Sequence, residues 1–129
     1  MSSTTASPTI HIFRESVTLE IHEIVAKLRD LLGAQLVAYL GKVQETRAVR
    51  QWADASRKVS ASTDAKLRLA YQAASLIASR NSHTVTQAWF MGMNPQLDDD
   101  SPARLIREGK INRVGPDIMS AAKAFARIG

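Results

Sequence analysis

The chain has 129 residues, a mass of 14.1 kDa and no cysteine. That excludes disulfides, thiolate metal sites and cysteine nucleophiles, and it fits one domain or one domain with a small appendage. Lys and Arg number 17 against 12 Asp and Glu, giving a net charge of +5 and a pI near 10.0, a balance suited to a polyanionic partner.

Hydrophobic residues make up 45% and aromatics only 5%. That mixture, rich in Ala, Leu and Ile, packs as helices rather than as a β-sandwich, so the expected fold class is all-α. Met1 to Ser16 carries neither a charged n-region nor a long apolar run, and no stretch has the length of a membrane span. The expected location is the cytoplasm.

The polar opening, residues 1–16, reads as a disordered tail, with a short extended piece over Thr9–Phe13. A first strong helix is expected from Leu19 to Leu32. Its apolar residues Ile21, Ile24, Val25, Leu28, Leu31 and Leu32 recur at three and four, Thr18 stands at its start and Gly33 stops it. A second helix spans Ala34–Leu40 and ends at Gly41. A third runs from Glu45 to Ala55, with Val49 and Trp52 facing inward. Two short helices about a glycine-containing turn match a helix-turn-helix pattern over residues 17–62.

Ser56–Ser62 reads as a polar linker. A fourth helix follows over Ala65–Ser79, capped by Ser62 or Thr63, and a fifth over Val85–Met91. Trp89 and Phe90 are adjacent, so either one lies at an interface or the helix is buried on two sides. Tyr39, Tyr71 and Phe125 are expected to lean toward the core. Asn94-Pro95 marks a turn, and Ser101-Pro102 caps a helix that Gly109 closes. Asp98 to Asp100 precede that helix, where negative charge is stabilising. The last helix is expected over Arg113–Arg127, with Pro116 in its first turn.

Residues 42–68 hold seven basic and three acidic side chains. On an exposed helix face, Gln44, Thr46, Arg47, Arg50 and Gln51 have the chemistry to read base edges, and Arg57 and Lys58 to hold phosphates. A solvated helix face accounts for them equally. His11, His22 and His83 show no ligand spacing. No P-loop, GxSxG, GxGxxG or HExxH motif occurs, and no nucleophile stands beside a base. Neither catalysis nor a metal or cofactor is expected.

The run Trp89-Phe90-Met91-Gly92-Met93-Asn94-Pro95-Gln96-Leu97, followed by Ser101-Pro102-Ala103-Arg104-Leu105-Ile106-Arg107-Glu108-Gly109, resembles the toxin-binding domain of the Xre/MbcA/ParS antitoxin family. Val114, Ala121, Ala122, Ala124 and Phe125 are similar to that family's final helix. Leu32-Gly33 through Val49 and Trp52, then Leu67 to Tyr71, resembles its Xre-like helix-turn-helix. The turn Gly41-Lys42-Val43-Gln44 lacks the Ser that often caps the family's recognition helix, and no Gly stands near Ala55.

The resemblance implies an N-terminal Xre-like helix-turn-helix bundle over residues 17–62 and a small helical toxin-binding domain over residues 63–129. It implies an antitoxin whose C-terminal region covers the active site of a RES-domain, NAD-degrading toxin. It also implies homodimers that repress their own operon, with no membrane partner. Met119, Lys123, Phe125, Ala126, Arg127, Ile128 and Gly129 become candidates for the toxin-facing surface. Gln44, Thr46, Arg47, Arg50, Gln51, Arg57 and Lys58 become candidates for DNA contact. The alternative is a stand-alone helix-turn-helix regulator.

Overall fold

Apolar residues spaced by three and four give each segment one face to bury, and the computed structural model, which describes residues 8–128, resolves that demand by packing helices on helices. They are α1 (Pro8–Thr18), α2 (Ile21–Leu32), α3 (Ala34–Leu40), α4 (Thr46–Ala53), α5 (Ala61–Ala78), α6 (His83–Met91), a 3-10 turn (Pro95–Leu97), α7 (Pro102–Glu108) and α8 (Ile111–Ile128). Among the described residues there is no strand, only an isolated bridge between Asn94 and Asp100.

The long helix α5 is the axis. It packs most extensively on α2 and α8, and also on α1, α3, α6 and α7. The buried apolar side chains form one cluster from Ile12 to Ala126, so helices on both sides of residue 62 share a core. Phe90, Ile24, Leu28, Leu40, Leu67, Ile77, Ile106 and Ile118 are its largest fully buried members.

The N-terminal expectation is corrected from Pro8 onward. Residues 8–16 are neither tail nor extended; they belong to α1, while residues 1–7 lie outside the described residues. Long-range contacts decide this. Ile12 and Ser16, one turn apart, are buried, and the Tyr71 hydroxyl donates to Glu15 Oε1 at 2.9 Å. Arg68 Nη1 donates to the carbonyls of Ser16 (3.1 Å) and Leu19 (2.8 Å), satisfying acceptors where α1 ends. The outer face of α1 leaves Ile10, Phe13 and Val17 about half exposed, at 49%, 51% and 54%.

Burial, and then the hydrogen bond to Glu15, push the Tyr71 phenol above its ordinary value of 10.0. The folded state therefore holds this proton more tightly than the unfolded chain. The stabilisation is complete below pH about 10 and is lost as pH rises through the folded value. Denaturant midpoints measured from pH 8 to 11 are expected to fall at the alkaline end, and Tyr71→Phe to flatten that fall.

Other boundaries also shift. Thr18 does not cap α2: its hydroxyl donates to the Arg14 carbonyl at 2.7 Å, within α1. The helix begins only at Ile21, after Glu20. Helix α4 is shorter than Glu45–Ala55. Helix α5 starts earlier than Ala65, because Ser60, not Ser62 or Thr63, is the cap and accepts from the Thr63 amide at 3.2 Å. Helix α6 begins at His83 with Ser82 as cap. Helix α8 begins at Ile111, where Ile111 and Val114 pack on the core. Pro116 therefore lies beyond the first turn and removes one ladder bond.

Trp89 and Phe90 are both buried, at 8% and 0% exposure, with their rings edge-to-face at 5.1 Å. Helix α6 is thus buried on two sides. Tyr39, expected to lean toward the core, is 39% exposed instead.

Candidate functional site

Two surfaces collect the candidate residues. The first is the α3–α4 pair. Gly33 ends α2 and starts α3 with φ of +87°, a conformation open to glycine at no steric cost. Trp52 is buried and leans on Gly41, which has no side chain to hold it off. This contact sets how closely α4 follows α3.

On the outside of the pair, Gln44, Thr46, Arg47 and Arg50 are exposed and Gln51 is half-buried. Arg57 and Lys58 are exposed beyond α4, and the Arg57 guanidinium lies 5.9 Å from the centre of the Trp52 ring. These predicted residues lie along the segment 44–58, on and just beside α4. Asp54 sits among them. Its carboxylate is held below the usual range, chiefly by hydrogen bonds from Ser56 and also by nearby Arg50.

Ala55 has φ of +65°, a left-handed conformation that an L side chain resists. The absence of glycine here thus costs stability. Ala55→Gly is expected to stabilise the fold by about 0.5–1 kcal/mol, read as a higher midpoint in urea.

The α3–α4 turn is braced against α7. Arg107 Nη1 donates to the Tyr39 carbonyl, and its guanidinium stacks 4.5 Å from the centre of the Tyr39 ring. Lys66 Nζ donates to the Arg107 carbonyl at 2.6 Å, and Lys42 pairs with Glu108 at 3.1 Å. Sequence reasoning missed this brace because its partners stand 41 or more positions apart in three of its contacts. Burial, and then the neighbouring Lys42, hold the Lys66 ammonium below its ordinary pKa.

The second surface is C-terminal. Ser101 caps α7, accepting from the Arg104 amide at 3.1 Å, and Asp100 pairs with Arg104 at 2.8 Å. Asn94 caps the 3-10 turn through the Gln96 amide. These caps set the segment 94–101 against α8. Between α6, the 3-10 turn and α8 lies an open groove of about 440 Å³, its walls including Val85, Trp89, Met93, Pro95, Ala121 and Phe125. Met93 at its edge is 81% exposed and Met91 nearby is 61% exposed. The Trp89 and Phe125 rings lie 6.5 Å apart. Trp89 Nε1 is buried without a hydrogen-bond partner, an unusual omission in a native fold.

The described toxin-facing candidates line two different cavities. Phe125 lines the apolar groove, whereas Lys123, Ala126 and Arg127 line a different pocket. Ala126 is only 4% exposed and belongs to the core. Met119 is partly buried against the core. Ile128 ends α8; its side chain and Gly129 lie outside the described residues.

Among the described residues no cluster of three or more His, Asp or Glu side chains could hold a metal ion, and no helix is long and apolar enough to cross a membrane. No family model, curated protein or solved structure matches the chain.

Proposed function

We propose that this chain is an antitoxin that neutralises a RES-domain, NAD-degrading toxin by covering its active site with the C-terminal region. One observation carries the reading. The segment Trp89–Leu97, where the resemblance is strongest, and the end of α8 together line an open apolar groove with exposed Met93 at its edge. Apolar patches rimmed by polar residues serve as protein contact sites, and a few buried anchors carry such interfaces.

The test is a substitution in the groove. A chain ended at Ala122 would lose Phe125 and the buried Ala126, so it would report on folding as much as on binding. Cells expressing a RES-domain, NAD-degrading toxin that this chain neutralises are expected to keep their NAD with the natural chain and to lose it with Met93→Asp. NAD preserved equally by the variant would overturn the groove as the toxin-facing surface.

A second role, repression through α3 and α4 as a helix-turn-helix, is supported by the exposure of Arg47 and Arg50 on one helix with no hydrogen-bonded carboxylate partner. If both contact phosphate, Arg47→Ala with Arg50→Ala lowers the slope of log affinity against log salt by about 1.8. An unchanged slope would show that neither contacts phosphate, and an unchanged operator affinity would remove both from the interface. In this reading a second copy of the chain covers the stripe Ile10, Phe13 and Val17 on α1, and Phe13→Asp yields monomers by sedimentation.

A further inference from the structure

Where α1 begins and α5 and α8 end, the three helices surround a pocket of about 450 Å³ that neither proposed role uses as a cavity. Its floor is apolar, formed by buried Leu76 and Ala126. Its rim carries Arg80, just beyond α5, with Lys123 and Arg127 one turn apart on α8. All three cations are exposed, and none of their side chains makes an ion pair or a hydrogen bond within the described residues. Among the described residues no carboxylate lines the cavity.

The polar wall supplies three cations and two hydroxyls, of which Ser79 can only accept from the cavity. The Ser79 hydroxyl donates to the Leu76 carbonyl at 2.6 Å, which leaves the cations and the Thr9 hydroxyl as the donors facing the cavity. Thr9 also stands in the first turn of α1, at the positive end of that helix. The carbonyl ends of α5 and α8 offset part of the charge, yet three like charges around a concave, low-dielectric floor focus a positive potential into it.

We propose that this pocket binds a phosphate-bearing small molecule of about nucleotide size. The phosphates sit among Arg80, Lys123 and Arg127, and the apolar body lies on Leu76 and Ala126. The volume is within the range of small-molecule sites, and a bare phosphate would leave the apolar floor uncovered. The site is separate from the α4 surface. Helix α5 has 18 residues and so spans about 27 Å. Thr63, near Gly41 and Trp52, is at one end, and Ser79, in the pocket wall, follows the other. The proposal concerns the chain alone and does not require a toxin.

Isothermal titration of the full chain at fixed ionic strength tests it, with ADP, ATP, inorganic phosphate and adenosine as probes. ADP and ATP are expected to bind saturably at one site, more tightly than phosphate, and adenosine not to bind. Lys123→Gln and Arg127→Gln are each expected to weaken ADP by about tenfold, the loss of one charge-assisted hydrogen bond. Arg47→Ala and Arg113→Gln, on other exposed cations, are expected to leave it unchanged. Absence of saturable ADP and ATP binding would overturn the proposal, as would equal weakening by Arg113→Gln. Binding of a poly-glutamate peptide in place of the nucleotides would also overturn it, and would assign the pocket to an acidic protein segment. Loss of NAD protection in cells leaves this titration untouched, so the two readings fail separately.

Discussion

Gly41→Ala is expected to lower stability by about 2–3 kcal/mol, near the upper range for overpacking a core. A Cβ built on Gly41 would lie 2.7 Å from Trp52 Cη2 and 2.9 Å from Cζ3. The indole is rigid and buried, so it has no rotamer with which to yield cheaply. The backbone is not the cause: Gly41 has φ of −87° and ψ of 3°, a region other residues adopt. Gly33→Ala provides the contrast. There φ is +87° with ψ 150°, a region essentially confined to glycine, and nothing lies within 4 Å of the new Cβ, so the cost is backbone strain alone, about 1–3 kcal/mol. Thermal melts should show a loss of about 10 °C for Gly41→Ala. A smaller aromatic at position 52 should recover part of it in a double-mutant cycle. Loss of the same size with Trp52→Phe in place would show that the clash is not with the indole.

Met93→Asp is expected to leave folding within about 0.5 kcal/mol of the natural chain, because its side chain is 81% exposed. Under the proposed function it weakens the toxin complex by about 30-fold or more, since a charge would be buried in an apolar groove without a partner. The two numbers separate a binding role from a structural one. Phe125→Ala cannot separate them, because its ring packs 6.5 Å from Trp89 and its loss affects the helix pair as well as the groove. Binding of the purified toxin by titration calorimetry, beside a urea melt of each variant, gives both values. A melt shifted as much as the affinity would remove Met93 from the interface.

Local signals in the sequence were legible at some helix ends and misread at others, where two or three serines and threonines compete for the cap, as Ser60, Ser62 and Thr63 do before α5. Helix α3 has the expected bounds because Gly33 and Gly41 flank it. The Ser101 cap and the first-position proline of α7 are where Ser-Pro placed them, and the Asn94-Pro95 turn is also as expected. The inward lean of Trp52 follows from its spacing to Val49. The larger failures came where the partner is distant in the chain. Helix α1 has a weak pattern of its own and is held by Arg68 and Tyr71, some fifty positions away. Tyr39 is drawn outward by Arg107, 68 positions on.

What the sequence determined by itself was the helical class, the glycine and serine punctuation, and the basic character of the chain. These rest on backbone torsion, capping and net charge, which neighbouring residues decide. What only the tertiary structure decided was which faces meet. It divided the end of α8 between an apolar groove and a basic pocket, buried Ala126, and placed the α3–α4 turn against α7. A helix exposes residues every 100° around its axis, so one short segment can serve several surfaces. Only the positions of the neighbouring helices determine which residues remain open.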